Sequence, residues 1–227
     1  MLLKKYLSKS YILRYLIIIV SIMFVGLGMS ITRISCMGTE PFSSLNYSIS
    51  ETFKIPFWIV MSGINAIILI FSLAFSRDLV GLGTIAGMTL LGSVTDFWGK
   101  IIKSMVGSDI SFTGMESIEL RVILLCVGML IMVFTNSIYI SLDLGMAPYD
   151  IAGFIIEKLT GKISFRWARV ALDSTCVVIA FFVAETNGKQ WEIIGIGTVI
   201  MAFCVGPLLS FFKENVAKPM LEKIMIE

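Results

Sequence analysis

The sequence predicts an all-α, polytopic membrane protein: one membrane domain made of two tandem repeats, each with three long transmembrane helices and one short helix. Three observations lead there. Of 227 residues, 57% are hydrophobic and only 15% charged, with a mean hydropathy of +0.92, whereas soluble chains carry roughly a quarter charged residues. Several apolar runs reach the roughly 20 residues that cross a hydrocarbon core, without the alternation of a barrel strand. Finally, the stretch Gly38-Thr39-Glu40-Pro41-Phe42 returns 107 residues downstream as Gly145-Met146-Ala147-Pro148-Tyr149.

The two copies align over most of their length. Ser30 falls on Ser137 without a gap, Trp58 on Trp167 after two inserted residues, and Gly81-Leu82-Gly83-Thr84 on Gly195-Ile196-Gly197-Thr198 after five more. These insertions fall between apolar runs, where they are tolerated. In each copy a glycine stands three residues before a proline. Proline in a first helical turn forfeits only a hydrogen bond that would be orphaned anyway, so Pro41 and Pro148 open helices. Their free amides and positive dipole ends then lie near or within the membrane. The motif reads equally as a tight turn between helices or as a ligand-facing helix start.

Along the chain, Lys4, Lys5 and Lys9 precede an apolar run from Tyr11 to about Ile34. No small-residue cleavage site follows, and the second copy has an equivalent helix at about 118–142, so this is expected to be a retained span and not a signal peptide. From Pro41 to Phe53 the apolar residues mark one side of a helix about 20 Å long, too short to cross lipid unaided. Its counterpart runs from Pro148 to Leu159. Further spans are expected over Pro56–Phe75, Leu79 to about Trp98, and about 166–184 and 191–212. Repeat 1 thus covers about 11–105, a polar linker with Ser108 and Asp109 about 106–117, and repeat 2 about 118–212. The alternately charged tail 213–227 is expected to lie along the membrane surface. Gly81, Gly83, Gly195 and Gly197 read first as small residues that let helices approach.

The crossing number is open between six and eight. With six, the repeats are inverted and 12 of the 18 Lys and Arg residues lie on the N-terminal side; with eight, they are parallel and 15 do. The positive-inside rule favours eight modestly and puts both termini in the cytoplasm either way.

The strongest departure from lipid-compatible sequence is Arg169 with Asp173, four apart on one helix face. A membrane-embedded charge costs roughly 2.5 to 3.5 kcal/mol on insertion scales, so such groups pair or line a cavity. The first copy has Val60 and Ile64 at the equivalent positions. Glu40 and Asp150 sit at the starts of the short helices, where a carboxylate can cap amides. Thr39, Ser43, Asn65, Ser174, Thr84 and Thr198 are polar groups in apolar surroundings that can bond between helices or meet a solute.

With no histidine, the commonest metal ligand and near-neutral proton carrier is absent. Cys36, Cys126, Cys176 and Cys204 lack metal spacing and read as buried small hydrophobes. The basic residues form no nucleic-acid patch. No nucleophile elbow, phosphate loop or hydrolase carboxylate pair occurs, so neither an enzyme nor a cofactor is expected.

Gly38 to Pro41 after an apolar helix, Gly81-Leu82-Gly83-Thr84 opening another, and the second copy with Gly145, Pro148, Arg169, Asp173 and Gly195-Ile196-Gly197-Thr198 together resemble the YczE/YyaS/YitT-like bacterial integral membrane proteins. The resemblance spans about residues 12–212 and implies a bacterial inner-membrane setting without a settled substrate. It also leads to a glutamate-type carboxylate four residues after the arginine, where this chain has the shorter Asp173. Repeats, interrupted helices and embedded charge are typical of secondary carriers. The expectation is therefore a small-solute transporter with its site between the repeats; the alternative is a membrane accessory or scaffold protein. An anionic solute gripped by Arg169 is one expectation, against which stand Glu40, Asp150 and Asp173, whose charges would neutralise that site.

Overall fold

The computed structural model describes residues 9–106, 118–186, 188 and 193–226; most of the expected linker lies outside them. Every regular element among the described residues is helical. These are α1 (Lys9–Ile34), α2 (Pro41–Phe53), α3 (Phe57–Phe75), α4 (Leu82–Val106), α5 (Ile118–Ser141), α6 (Pro148–Thr160), α7 (Phe165–Glu185), α8 (Ile196–Phe212) and α9 (Lys218–Ile226), with a 3₁₀ turn at Arg77–Leu79 and a π-helical stretch at Lys213–Ala217. Five stretches are long and apolar enough to cross a membrane: α1, α3, α5, α7 and the continuous Ile196–Lys223. Helix α4 matches them in length but carries Asp96, Lys100 and Lys103 in its second half.

The bundle is apolar outside and partly polar inside, as lipid demands. Ile70, Phe71 and Phe182 are each more than 60% exposed, while Ser43, Ser44, Asn46 and Ser48 on α2 are at most 1% exposed. Most of them are satisfied within the chain: Asn46 Nδ2 donates to the Phe42 carbonyl at 2.6 Å, Ser44 bonds Thr39 and Ser43 donates to Glu40, while the Ser48 hydroxyl has no partner. Satisfying polar groups internally is what makes such a face tolerable away from water. Helix α2 is buried on all sides from Pro41 to Ser48, its polar residues included.

Helices α1 and α5 run antiparallel. Arg14 of α1 donates to the carbonyl of Leu142 just past α5, Arg121 of α5 donates to the carbonyls of Ser35 and Cys36 just past α1, and Gly28 and Gly128 meet between these ends. The two glycines let the backbones approach at the crossing. At one end, Lys158 near the close of α6 reaches Asp78 after α3 at 3.7 Å. In the eight-crossing arrangement Arg14 and Leu142, and likewise Lys158 and Asp78, would lie on opposite sides of the membrane. Here the members of each pair meet.

Each short helix starts in the middle of the bundle and runs outward to one end. The guanidinium of Arg33, at the end of α1, lies 4.0 Å over the ring of Tyr47, two turns into α2. The chain therefore dips inward between α1 and α2 before α2 climbs back. Helix α2 then runs parallel to α7, with Glu40 near Arg169 and Thr52 donating to the carbonyl of Val183. Prolines at N1 start both short helices, and left-handed residues Lys54 and Gly161 close them.

The inward loops are clasped by helix starts from the other half of the chain. Gly83 donates to the carbonyl of Leu144 at 2.8 Å, and Gly197 to that of Met37 at 2.7 Å. Gly38 and Gly145 take φ values of +102° and +99°, a region that strains residues with a Cβ. A Cβ on Gly81 would strike the Leu144 carbonyl, and one on Gly195 the Met37 carbonyl. Thr84 accepts from the Gly81 amide at 3.0 Å, while the equally buried Thr198 hydroxyl has no partner. The motif residues thus hold backbone against backbone.

The tail continues α8 through the π-helical turn and packs one side inward, with Ala217 and Leu221 at 0% and 3% exposure.

Candidate functional site

Where α2 and α6 begin, Phe42 and Tyr149 stack with ring centroids 4.2 Å apart and planes 15° from parallel. Around that stack four charged side chains converge. Arg169, 3% exposed, faces Asp150 at 3%, Asp173 at 0% and Glu40 at 7%. Its Nη1 donates to Asp150 Oδ1; its Nη2 lies 3.8 Å from Glu40 Oε2; its Nε lies 3.3 Å from Asp173 Oδ1. The last contact is an ion pair by distance but is misaligned for a hydrogen bond, since Nε has no bonding partner. The guanidinium also sits 4.4 Å over the Tyr149 ring, and the Tyr149 hydroxyl donates to Asp173 Oδ1 at 2.6 Å.

The sequence places these groups by three local devices. Arg169 and Asp173 share a face of α7 because they are one turn apart. Glu40 and Asp150 arrive with the prolines that start α2 and α6. Asp150 and Arg169 lie at similar distances either side of the Gly161 turn, so the α6–α7 hairpin brings them level. Neither carboxylate caps its helix, for neither α2 nor α6 has a side-chain cap bond. Glu40 instead accepts from the Ser43 hydroxyl at 3.1 Å, and Asp150 from Asn136 Nδ2 at 3.4 Å. Both still lie at the positive ends of their helices, which they neutralise.

Beside the cluster is a cavity of about 50 Å³ whose polar lining comes from Glu40, Asp150, Arg169, Asn65 and Asn136. Such a space holds a few water molecules or a small ion. Asn65 spends its Nδ2 on the Met61 carbonyl, leaving its buried Oδ1 without a partner. Asp173 does not line the cavity; it stands behind Arg169.

Of the residues singled out from sequence, the structure brings together Arg169, Asp173, Glu40, Asp150, Ser43 and Asn65. Thr39 bonds Ser44, 2.9 Å away, and Ser174 turns its hydroxyl to the Val170 carbonyl; neither lines the cavity. Tyr149 and Asn136 were not foreseen. Each had a signal: Tyr149 is the hydroxyl-bearing counterpart of Phe42, and Asn136 interrupts a long apolar run. The four cysteines are free, but only Cys176 is buried and Cys126 is exposed. No group of acidic or thiol residues among the described residues is suited to a metal.

Two relatives cover nearly the whole chain. An uncharacterized membrane protein, YczE of Bacillus subtilis (strain 168), is 25% identical over 90% of this chain and 87% of its own length. An uncharacterized protein of the same organism, YyaS, is 27% identical over 93% of this chain and 98% of its own. No solved structure matches. A family of unknown function (DUF6198) matches residues 12–214, a stretch that contains both clasps, the stacked rings and the buried charges, and the chain is a membrane protein belonging to that family.

Proposed function

We propose that the protein carries a small solute across the membrane through the centre where α2 and α6 meet. The observation that carries this reading is the buried cavity faced by Glu40, Asp150 and Arg169, since intramembrane charges beside a cavity mark solute or ion paths. The two halves are read as inverted repeats of three crossings and one re-entrant helix each. The antiparallel α1 and α5 and the reciprocal clasps support this, and it is the architecture of many secondary carriers. Both termini are then cytoplasmic in a bacterial inner membrane, with 11 of the 18 basic residues on their side and Arg169 at the centre. A Met105→Cys variant in a cysteine-free background is expected to react with an impermeant reagent from outside; labelling only after lysis would sink the six-crossing topology.

The charges argue about the solute. Three carboxylates surround one guanidinium, so Arg169 is not free to grip an anion, and acceptor groups outnumber the cation. A cationic or neutral hydrogen-bonding solute fits this better than the anionic one expected from Arg169 alone. No chemical reaction is assigned to the site.

One observation favours the accessory alternative. The cavity of about 50 Å³ is well below the roughly 300 Å³ at which ligand pockets begin, so this conformation admits only water or an ion. Thermal-shift measurements with ammonium, small amines, polyols and carboxylic acids, followed by counterflow of the best stabiliser in proteoliposomes, separate the two. The transport reading expects an amine or polyol to stabilise and exchange, and Asp150→Asn to abolish the exchange. No stabiliser and no exchange in the wild type would leave the accessory role.

A further inference from the structure

Away from the centre, a second site is built between α1, α5 and α9. An open apolar groove of about 560 Å³ runs along these helices from Leu16 to Phe24, past Ile131 and Ile138, with Met220 and Leu221 closing one side. One turn further out on the same three helices the lining changes character. A cleft of about 610 Å³ is bordered there by Arg14, Lys213 and Lys218, with Asp143 and Glu222. Leu221 belongs to both, so groove and cleft are continuous.

Their dimensions suit one kind of occupant. Leu16 to Phe24 covers about 12 Å of helix, close to the roughly 15 Å depth of one leaflet's hydrocarbon. The charged cleft therefore stands where headgroups lie when the groove lies among acyl chains. Three cations against two carboxylates leave the cleft basic, and basic pockets between membrane helices recognise anionic lipid headgroups. Arg14 spends its Nη1 on the Leu142 carbonyl at 3.3 Å, while its Nε is without a partner. Asp143 and Glu222 can accept from headgroup hydroxyls.

We propose that this cleft and groove bind one phospholipid with an anionic, hydroxyl-bearing headgroup, its phosphate between Arg14, Lys213 and Lys218 and an acyl chain along α1 and α5. The lipid wedges the tail against the bundle, because α9 forms one wall of both spaces. The site is independent of the transport reading and stands whatever the central cavity passes.

Native mass spectrometry of the purified protein with equimolar phosphatidylglycerol and phosphatidylcholine of identical chains tests it. Wild type is expected to retain phosphatidylglycerol preferentially. Lys218→Gln, at an exposed position, is expected to weaken that retention about fivefold, and Arg14→Gln with Lys218→Gln about 25-fold, from roughly 1 kcal/mol per basic residue near an anionic headgroup. Val20→Trp, which fills the groove, is expected to reduce retention of both lipids while keeping the preference, and Lys158→Gln elsewhere on the surface to change neither. Equal retention of the two lipids by wild type would overturn the proposal. So would an unchanged preference in Lys218→Gln that elutes as wild type on size exclusion. Glycerol phosphate competing as well as the lipid would also overturn it, by making the site one for a free phosphate.

Discussion

The two clasps and the centre they enclose are built on opposite plans. The clasps match: Gly83 to Leu144 at 2.8 Å against Gly197 to Met37 at 2.7 Å, and φ of +102° at Gly38 against +99° at Gly145. Even the flanking stacks correspond, Tyr47 on Phe57 at 4.0 Å and Phe154 on Phe165 at 4.1 Å. At the centre the likeness ends. Arg169 and Asp173 on α7 face Val60 and Ile64 in the matching places of α3, and Tyr149 carries a hydroxyl that Phe42 lacks. Backbone contacts without side chains leave nothing to vary, so the frame stays alike on both sides; side chains at the junction can differ without disturbing it.

Replacing the central cation should break that contrast most severely. Arg169→Met leaves three buried carboxylates facing one another, and removing one partner of a buried pair costs about 3 to 5 kcal/mol. Little folded protein is expected by fluorescence-detected size exclusion; a yield and melting temperature like wild type would mean the cluster holds nothing together. Next come the clasps, where Gly38→Ala and Gly145→Ala each add backbone strain of about 1 to 3 kcal/mol and a Cβ against the opposing strand of chain. Their melting temperatures should fall by similar amounts, and a large loss at one with none at the other would end the equivalence of the two. Tyr149→Phe makes the stacked pair identical and takes one hydrogen bond from Asp173, at a cost of about 0.5 to 1.5 kcal/mol. It should be milder than either glycine change in stability yet alter solute exchange, and unchanged exchange would make the hydroxyl structural only. Ser174→Ala should be smallest, within about 0.5 kcal/mol, because its hydroxyl serves only its own helix; a loss of exchange there would return it to the site.

Much of this was legible from residues alone. The paired Gly-x-x-Pro motifs gave the starts of the short helices to the residue, since proline fixes N1, and the buried charges stood out because lipid makes them costly. Their meeting was not legible: Glu40 and Asp150 reach Arg169 only because both loops dip to the same depth, a fact of tertiary packing. Ser174, one residue after Asp173, is turned about 100° around α7 and bonds its own helix, which its sequence position beside Asp173 did not announce. The crossing number stayed open for a related reason: counting charges by side treats each hydrophobic segment as crossing or not, and α2 is only 13 residues long with its first two turns buried among other helices.

The reciprocal clasps also set a schedule for synthesis. Met37 waits for Gly197, 160 residues later in the chain. At about 5 to 20 residues per second, the first inward loop is therefore made roughly 8 to 30 s before its partner exists. During that interval Gly38 has no second half to hold it, and the first three long helices stand in the bilayer with a polar-faced helix unclasped. A ribosome stalled before residue 195 should hold a nascent chain in which a cysteine at Thr39 reacts with a soluble maleimide, and release to full length should close it.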